Sequence, residues 1–206
     1  MIAMPRFLAR LLTRVPSLFR RAEQAVDAWE RIAADVEPSR FGAASRHDFR
    51  WYFEGESAVR IDSVDALCDW LQACDYCADH ALFNERDYWQ HPRTFEQVRK
   101  GDCEDFALWA WRKLVELGYD AEFVCGQCDP SRPDGGYHAW VIFRHEGQEF
   151  VLEAASRARG SMVLPLTAAR ERYRPHFAVD RAFRTTGFGG YLLSERARRQ
   201  GRQRGS

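Results

Sequence analysis

The sequence predicts an α+β fold in which a cysteine-bearing helix packs on an antiparallel sheet, with extra helices at the N-terminus. Three observations predict it. From Cys103 to Leu117, apolar side chains recur at helical spacing between an aspartate start and a glycine stop. Residues 138–143 and 149–154 are short apolar runs joined by Glu146-Gly147-Gln148, the pattern of a hairpin. The chain has 206 residues, 46% of them hydrophobic and no internal repeat, which suits one globular domain with a single core.

Each element has its own reason. Phe7, Leu8, Leu11, Leu12 and Val15 form an apolar stripe beside Arg6, Arg10 and Arg14. A helix is expected there, interrupted at Pro16, with a second helix from Ser17 through Ile32. Residues 1–35 therefore read as a basic amphipathic helical segment, 36–193 as the main domain and 194–206 as a disordered Arg-rich tail. Arg10 and Arg14 break the apolar stretch, so it is a poor secretion signal, and a cytoplasmic protein is expected, with export left open. Packing on the body is preferred to lying on a membrane. Residues 37–41 read as a turn and 47–61 as strand-like. Ser63 caps a helix to about Ala81, and residues 84–100 are a connection with a short turn capped by Thr94. After the Cys103 helix come a strand over 121–125, a polar loop over 129–136 and the hairpin. A strand at 162–166, a helical piece at 167–173, a strand at 177–183 and the flexible Gly187-Phe188-Gly189-Gly190 complete the chain.

Charge is balanced overall and uneven along the chain. Residues 1–21 hold five arginines and no acid, and residues 195–206 hold five arginines against Glu195. Residues 22–194 keep 20 basic and 29 acidic groups. An acidic body does not suit nucleic acid. No apolar run approaches the ~20 residues of a membrane span, so no integral membrane segment is expected. Of six cysteines, five remain once Cys103 is set aside as a nucleophile. An odd number disfavours a complete disulfide framework.

The chemistry concentrates around Gly101-Asp102-Cys103-Glu104-Asp105. Asp102 is a good N-cap and Asp105 stands where a capping box places its second acid, so Cys103 falls in the first helical turn. Arg112, Lys113 and Glu116 lie off the apolar face. Free backbone N–H groups at a helix start favour a thiolate and later an oxyanion. Three neighbouring carboxylates oppose that charge, so a cation must come from elsewhere, and His138 is its source. Glu153, on the returning hairpin strand, comes near His138. A strand carboxylate is costly to bury unless paired, and an imidazole N–H pairs it. Cys103, His138 and Glu153 are the expected nucleophile, base and orienting acid.

A helix-borne cysteine followed by a strand histidine and a strand acid resembles the transglutaminase-like cysteine hydrolases. Within them the chain looks most like the bacterial transglutaminase-like cysteine peptidases. The resemblance rests on Asn84, Asp87-Tyr88-Trp89 with Pro92, the block 101–107 and His138, roughly residues 80 to 155. It departs in offering Glu153 where the family usually has Asp. The resemblance implies a transglutaminase-like (papain-like) core and hydrolysis of peptide or amide bonds through a thioester. A protein or peptide is then the substrate, and no cofactor is required. Gln97 lies six residues before Cys103, the offset of an oxyanion-hole glutamine in papain-like enzymes. Trp89 and Trp140 are placed beside the substrate. Some of these peptidases hold calcium with acids flanking the cysteine, here Asp102 and Glu104. Two C-x-x-C pairs, Cys74/Cys77 and Cys125/Cys128, have zinc ligands at the wrong separation for a ribbon and read as core residues. Amine acyl transfer and a catalytically silent binding module stand as alternatives.

Overall fold

The computed structural model describes residues 26–129 and 136–204. Its centre is a seven-stranded sheet. The strands are β1 (Arg31–Ala34), β4 (Asp120–Cys128), β5 (Tyr137–His145), β6 (Gln148–Leu152), β7 (Val163–Pro165), β8 (Tyr173–Asp180) and β9 (Thr185–Phe188), in the order β1-β9-β8-β4-β5-β6-β7. All its pairings are antiparallel. A separate parallel pair, β2 (Asp75–Tyr76) with β3 (Lys100–Gly101), lies ahead of the cysteine helix. The helices are α1 (Val64–Gln72), α2 (Asp79–Leu82), α3 (Pro92–Val98), α4 (Cys103–Glu116), α5 (Leu166–Ala169) and α6 (Gly189–Arg204).

The expected hairpin is present with Val141 opposite Leu152 and His145 opposite Gln148. Along β5 the side chains alternate. Ala139, Val141 and Phe143 join the main core with Phe106, Trp109 and Leu114 of α4, whereas Trp140 and Ile142 join a smaller cluster with Tyr173 and Ala169 on the opposite face. Both faces of the sheet are thus covered near the site.

Helix α4 is enclosed all round. Residues 104–114 are all buried, Arg112 and Lys113 included. This corrects the expectation that the two bases lie off the packed face. They are buried because an irregular segment, with a 3-10 turn at Phe49–Phe53, folds over the back of the helix and needs donors for its carbonyls. Arg112 donates to the carbonyls of Tyr52, Glu54 and Gly55. Lys113 donates to the Val59 carbonyl at 2.6 Å, to Ser57 Oγ and to Glu116 at 2.8 Å, and lies 3.6 Å from Glu96. Glu96 also accepts from Ala58 N–H and Trp109 Nε1.

Four further expectations change. Residues 1–25 lie outside the described residues, but Arg31–Ala34 is an edge strand on β9, not the end of a helix, so the 1–35 boundary cuts into the sheet. The segment 47–61 is a 3-10 turn and loop, because its aromatic rings pack individually onto α4 and Phe123 rather than alternating across a sheet. The helix from Ser63 stops at Gln72, and the chain then turns into β2. The expected disordered tail is helix α6, pinned by Ser194. That buried hydroxyl donates to Gln127 Oε1 (2.7 Å) and meets His176 Nε2 at 2.8 Å.

Lys113→Ala removes the only ammonium that faces the buried Glu96 carboxylate among the described residues. The loss expected is about 3 kcal/mol, measured by urea denaturation, with Glu116→Ala, whose carboxylate is half exposed, costing under about 1 kcal/mol.

Candidate active site

Helix α4 begins where the sequence places it. Asp102 and Asp105 form a capping box, in which Asp102 N–H donates to Asp105 Oδ2 at 3.3 Å. Asp105 is 1% exposed and takes two more donors from Gln90: the backbone N–H at 2.7 Å and Nε2 at 2.5 Å. Gly101 is required there, since a Cβ would stand 2.3 Å from Asp105 Oδ2 and 2.8 Å from Gln90 Nε2. Gln90 also donates to the Lys100 carbonyl, so the segment 87–90, β3 and the helix start are tied together.

Cys103 opens into a cavity of about 290 Å³ whose wall also holds His138, Asp102, Glu104, Asp79, Asp87 and Trp89. Tyr76 and Tyr137, half-exposed, stand at its rim. The Cys103 thiol donates to Glu104 Oε2 at 3.2 Å, and the Ala139 backbone N–H faces the sulfur. Burial, then the charges of Glu104 and Asp102, push the thiol well above its ordinary value. The helix start alone does not make a thiolate.

His138 lies at the start of β5, with its ring stacked 6.2 Å from Trp140. Its Nε2 meets Glu153 Oε2 at 2.8 Å. Glu153 follows directly after β6, and the same oxygen accepts from Tyr173 Oη at 2.8 Å. The Glu153 bond occupies Nε2, so Nδ1 is the nitrogen available to a proton donor in the cavity. Trp140 is supported from beneath by close chain approach: a Cβ on Gly126, opposite His138 in the β4–β5 register, would meet the Trp140 ring at 2.8 Å and the Arg174 carbonyl at 2.2 Å.

The structure thus brings Cys103 and His138 to one cavity and bonds Glu153 to His138. Trp89 lines the same cavity, with Nε1 donating to Asp87 Oδ1 at 3.1 Å. Two expectations are corrected. Gln97 lines a different cavity with Trp51, His91 and Arg93, because helix α3 turns it away from the thiol. Trp140 is fully buried on the far sheet face and supports the imidazole instead of touching substrate.

Sequence reasoning missed Asp79 and the role of Asp87. Oxygens of Asp79, Asp87 and Glu104 lie within 4.8 Å of one another, as do those of Asp79, Asp102 and Asp105. Asp79 is 2% exposed. Its Oδ2 accepts from Tyr88 N–H, while Oδ1 has no partner, as is also true of Asp102 Oδ1. Burial pushes Asp79 up to about 6, with Asp102 and Asp87 adding to the shift. Burial and neighbouring carboxylates also raise Asp102 and, more strongly, Glu104. Only the Asp-Tyr-Trp segment hinted at this in the sequence, since Asp79 joins the group through tertiary folding. The donor set is all hard oxygen and fits a calcium-type cation. Among the described residues the two C-x-x-C pairs do not form a four-thiolate cluster.

The sequence profile of the bacterial transglutaminase-like cysteine proteinases, BTLCP, matches residues 44–169. The chain belongs to that family. Cysteine peptidase chemistry is the family's activity, and the fold is the transglutaminase-like α+β arrangement. Among solved structures, calcium-bound LapG of Legionella pneumophila is 20% identical, with TM-score 0.45, over 57% of this chain and 63% of LapG. An EGTA-treated LapG matches at 21% identity and TM-score 0.43, over 55% and 60%. A putative cysteine protease from Cytophaga hutchinsonii is 15% identical, with TM-score 0.37, over 63% and 43%. The chain therefore spans less than two thirds of LapG. No curated protein matches the sequence.

Asp79 contributes a pH dependence of stability. Its folded value is raised from 3.8 to about 6, so between those values the folded protein holds more protons than the unfolded chain. In chelator, stability falls as pH rises from about 4 to 6. Thermal melts across that range are expected to show the decline, and Asp79→Asn to lessen it, the raised Asp102, Glu104 and Asp105 supplying the rest.

Proposed function

We propose that the chain is a cysteine hydrolase of peptide or amide bonds working through a thioester. The observation that carries this reading is the 2.8 Å bond from His138 Nε2 to Glu153, on an imidazole that lines one cavity with Cys103. Glu153 holds the tautomer that leaves the Nδ1 lone pair for the thiol. His138 takes the S–H proton as sulfur attacks the carbonyl carbon. The developing oxyanion is met by the Cys103 backbone N–H at the helix start. When the C–N bond breaks, His138 gives its proton to the departing nitrogen. Water then attacks the thioester with His138 as base, releasing the acid and restoring the thiol.

The resting contacts leave one task open. Glu104 accepts from the thiol and the acidic wall disfavours a thiolate. Asp79, Asp87, Asp102 and Glu104 would hold a calcium ion, whose charge, when bound, offsets that wall. Glu104, as a ligand of such an ion, would no longer accept from the thiol, and His138 would remain as its acceptor.

The reading is tested with purified protein and a proteome-derived peptide mixture. Cys103→Ala is expected to abolish cleavage, and His138→Ala to lower kcat by at least about a hundredfold. Glu153→Ala should lower it about tenfold or more, roughly 1.4 kcal/mol of transition-state stabilisation. Cleavage undiminished in Cys103→Ala overturns the reading. Added hydroxylamine should yield hydroxamates from the same acyl-enzyme.

Calcium has a separate readout. In the inactive Cys103→Ala protein at pH 7, calcium is expected to raise the melting temperature by several degrees, and Asp79→Asn to remove the shift. An unchanged melt excludes the ion.

A further inference from the structure

The groove does not end at His138. A second cavity, of about 280 Å³, opens beside the imidazole, bounded by Glu153, Ser156, Ser161, Arg172 and Tyr173. Tyr76 and His138 line both this cavity and the one holding Cys103, so the two adjoin along a shared wall. Their charges differ. Four carboxylates dominate the thiol cavity. The second holds a single carboxylate, Glu153, whose Oε2 bonds His138 and Tyr173 and whose Oε1 is buried without a partner among the described residues. Arg172 is exposed, its guanidinium 5.9 Å from the Tyr173 ring centre, and no carboxylate of the described residues pairs with it.

We propose that this second cavity binds the part of the substrate that follows the scissile bond, and that Arg172 selects a carboxylate there. The inference rests on the thiol acyl-transfer reading above. In that step a C–S bond forms, the C–N bond breaks, and the proton taken from sulfur passes through His138 to the departing nitrogen. That nitrogen must therefore lie within reach of the imidazole, and the chain attached to it continues on the imidazole's side. The next open space on that side is the Arg172 cavity. A guanidinium there presents a planar fork of donors that matches a carboxylate. The acidic thiol cavity would repel the same group, so the charge pattern also sets the direction in which an acidic segment lies across Cys103. The carboxylate comes either from an Asp or Glu side chain or from a free C-terminus a few residues beyond the bond.

The test is digestion of a proteome-derived peptide mixture in calcium, with the cleaved positions read by mass spectrometry. Wild-type protein is expected to enrich Asp and Glu about threefold to fivefold within the first three positions after the bond, the range of a solvent-exposed ion pair. Arg172→Lys should keep the enrichment, and Arg172→Glu should replace it with enrichment of Lys and Arg, a gain that only a folded protein can show. A second arm uses the mixture amidated at every C-terminus. Enrichment that survives amidation assigns the side chain as the source, and cleavage near chain ends that amidation abolishes assigns the terminal carboxylate. Cys103-dependent cleavage with no acidic preference in either arm overturns the Arg172 site while leaving the hydrolase reading intact. Absence of any Cys103-dependent cleavage overturns that reading and this inference with it.

Discussion

A single buried carboxylate fixes where the functional helix begins. Asp105 accepts from the Asp102 backbone, from the Gln90 backbone and from the Gln90 side-chain amide. Three donors from two separated stretches of chain converge on this 1% exposed carboxyl and offset part of the cost of its burial, which still holds it well above the usual carboxylate range. The helix cannot slide by a residue without orphaning that group. Cys103 is thereby held in the first turn, with its backbone N–H directed out of the helix. The segment 87–90 is locked against it, which brings Trp89 and Asp87 into the thiol cavity. Gly101 is the steric consequence, because the backbone passes so close to Asp105 that no side chain fits.

Around that anchor the electrostatics are divided between the two ends of the helix. At its C-terminal half, Arg112 and Lys113 are buried and spend their donors on loop carbonyls and on Glu96 and Glu116. At its N-terminal end, four carboxylates crowd the thiol, and among the described residues the bases near them are His138, His80 and the exposed Arg86. Structure alone would not retain such a wall, since burying carboxylates together with Oδ atoms unpaired is costly. The cost falls at the candidate site, where, on the proposed reading, a bound cation would offset it.

Much of the candidate site's geometry is legible in the sequence because it depends on local patterns. The N-cap and capping-box acids located Cys103, and the hairpin turn brought Glu153 within reach of His138 two residues down the neighbouring strand. The hairpin register of Val141 with Leu152 carries that proximity directly. What was not legible depends on chain segments meeting from a distance. Arg112 and Lys113 look solvent-facing on a helical wheel until an aromatic loop covers them. Gln97 has the right offset from Cys103 but sits on a helix that turns it into another cavity. Asp79 looked like one acid in a long helix, and that helix ends early so the chain can pair β2 with β3. Arg31–Ala34 and helix α6 were misread for the same reason: an edge strand and an Arg-rich helix owe their order to β9, Gln127 and His176, not to their own composition.

Cys103 and His138 line one cavity, and the proposed chemistry requires that the sulfur and the imidazole Nδ1 come within reach of each other there. The most direct measurement is bridging with 1,3-dichloroacetone, whose two electrophilic carbons join a thiolate and an imidazole only when both lie within a few ångströms. The account predicts a single three-carbon bridge between the peptides carrying Cys103 and His138, mapped to Nδ1 and absent from Cys103→Ala. Cys103 alkylated at one end only, with the His138 peptide unmodified, would contradict it.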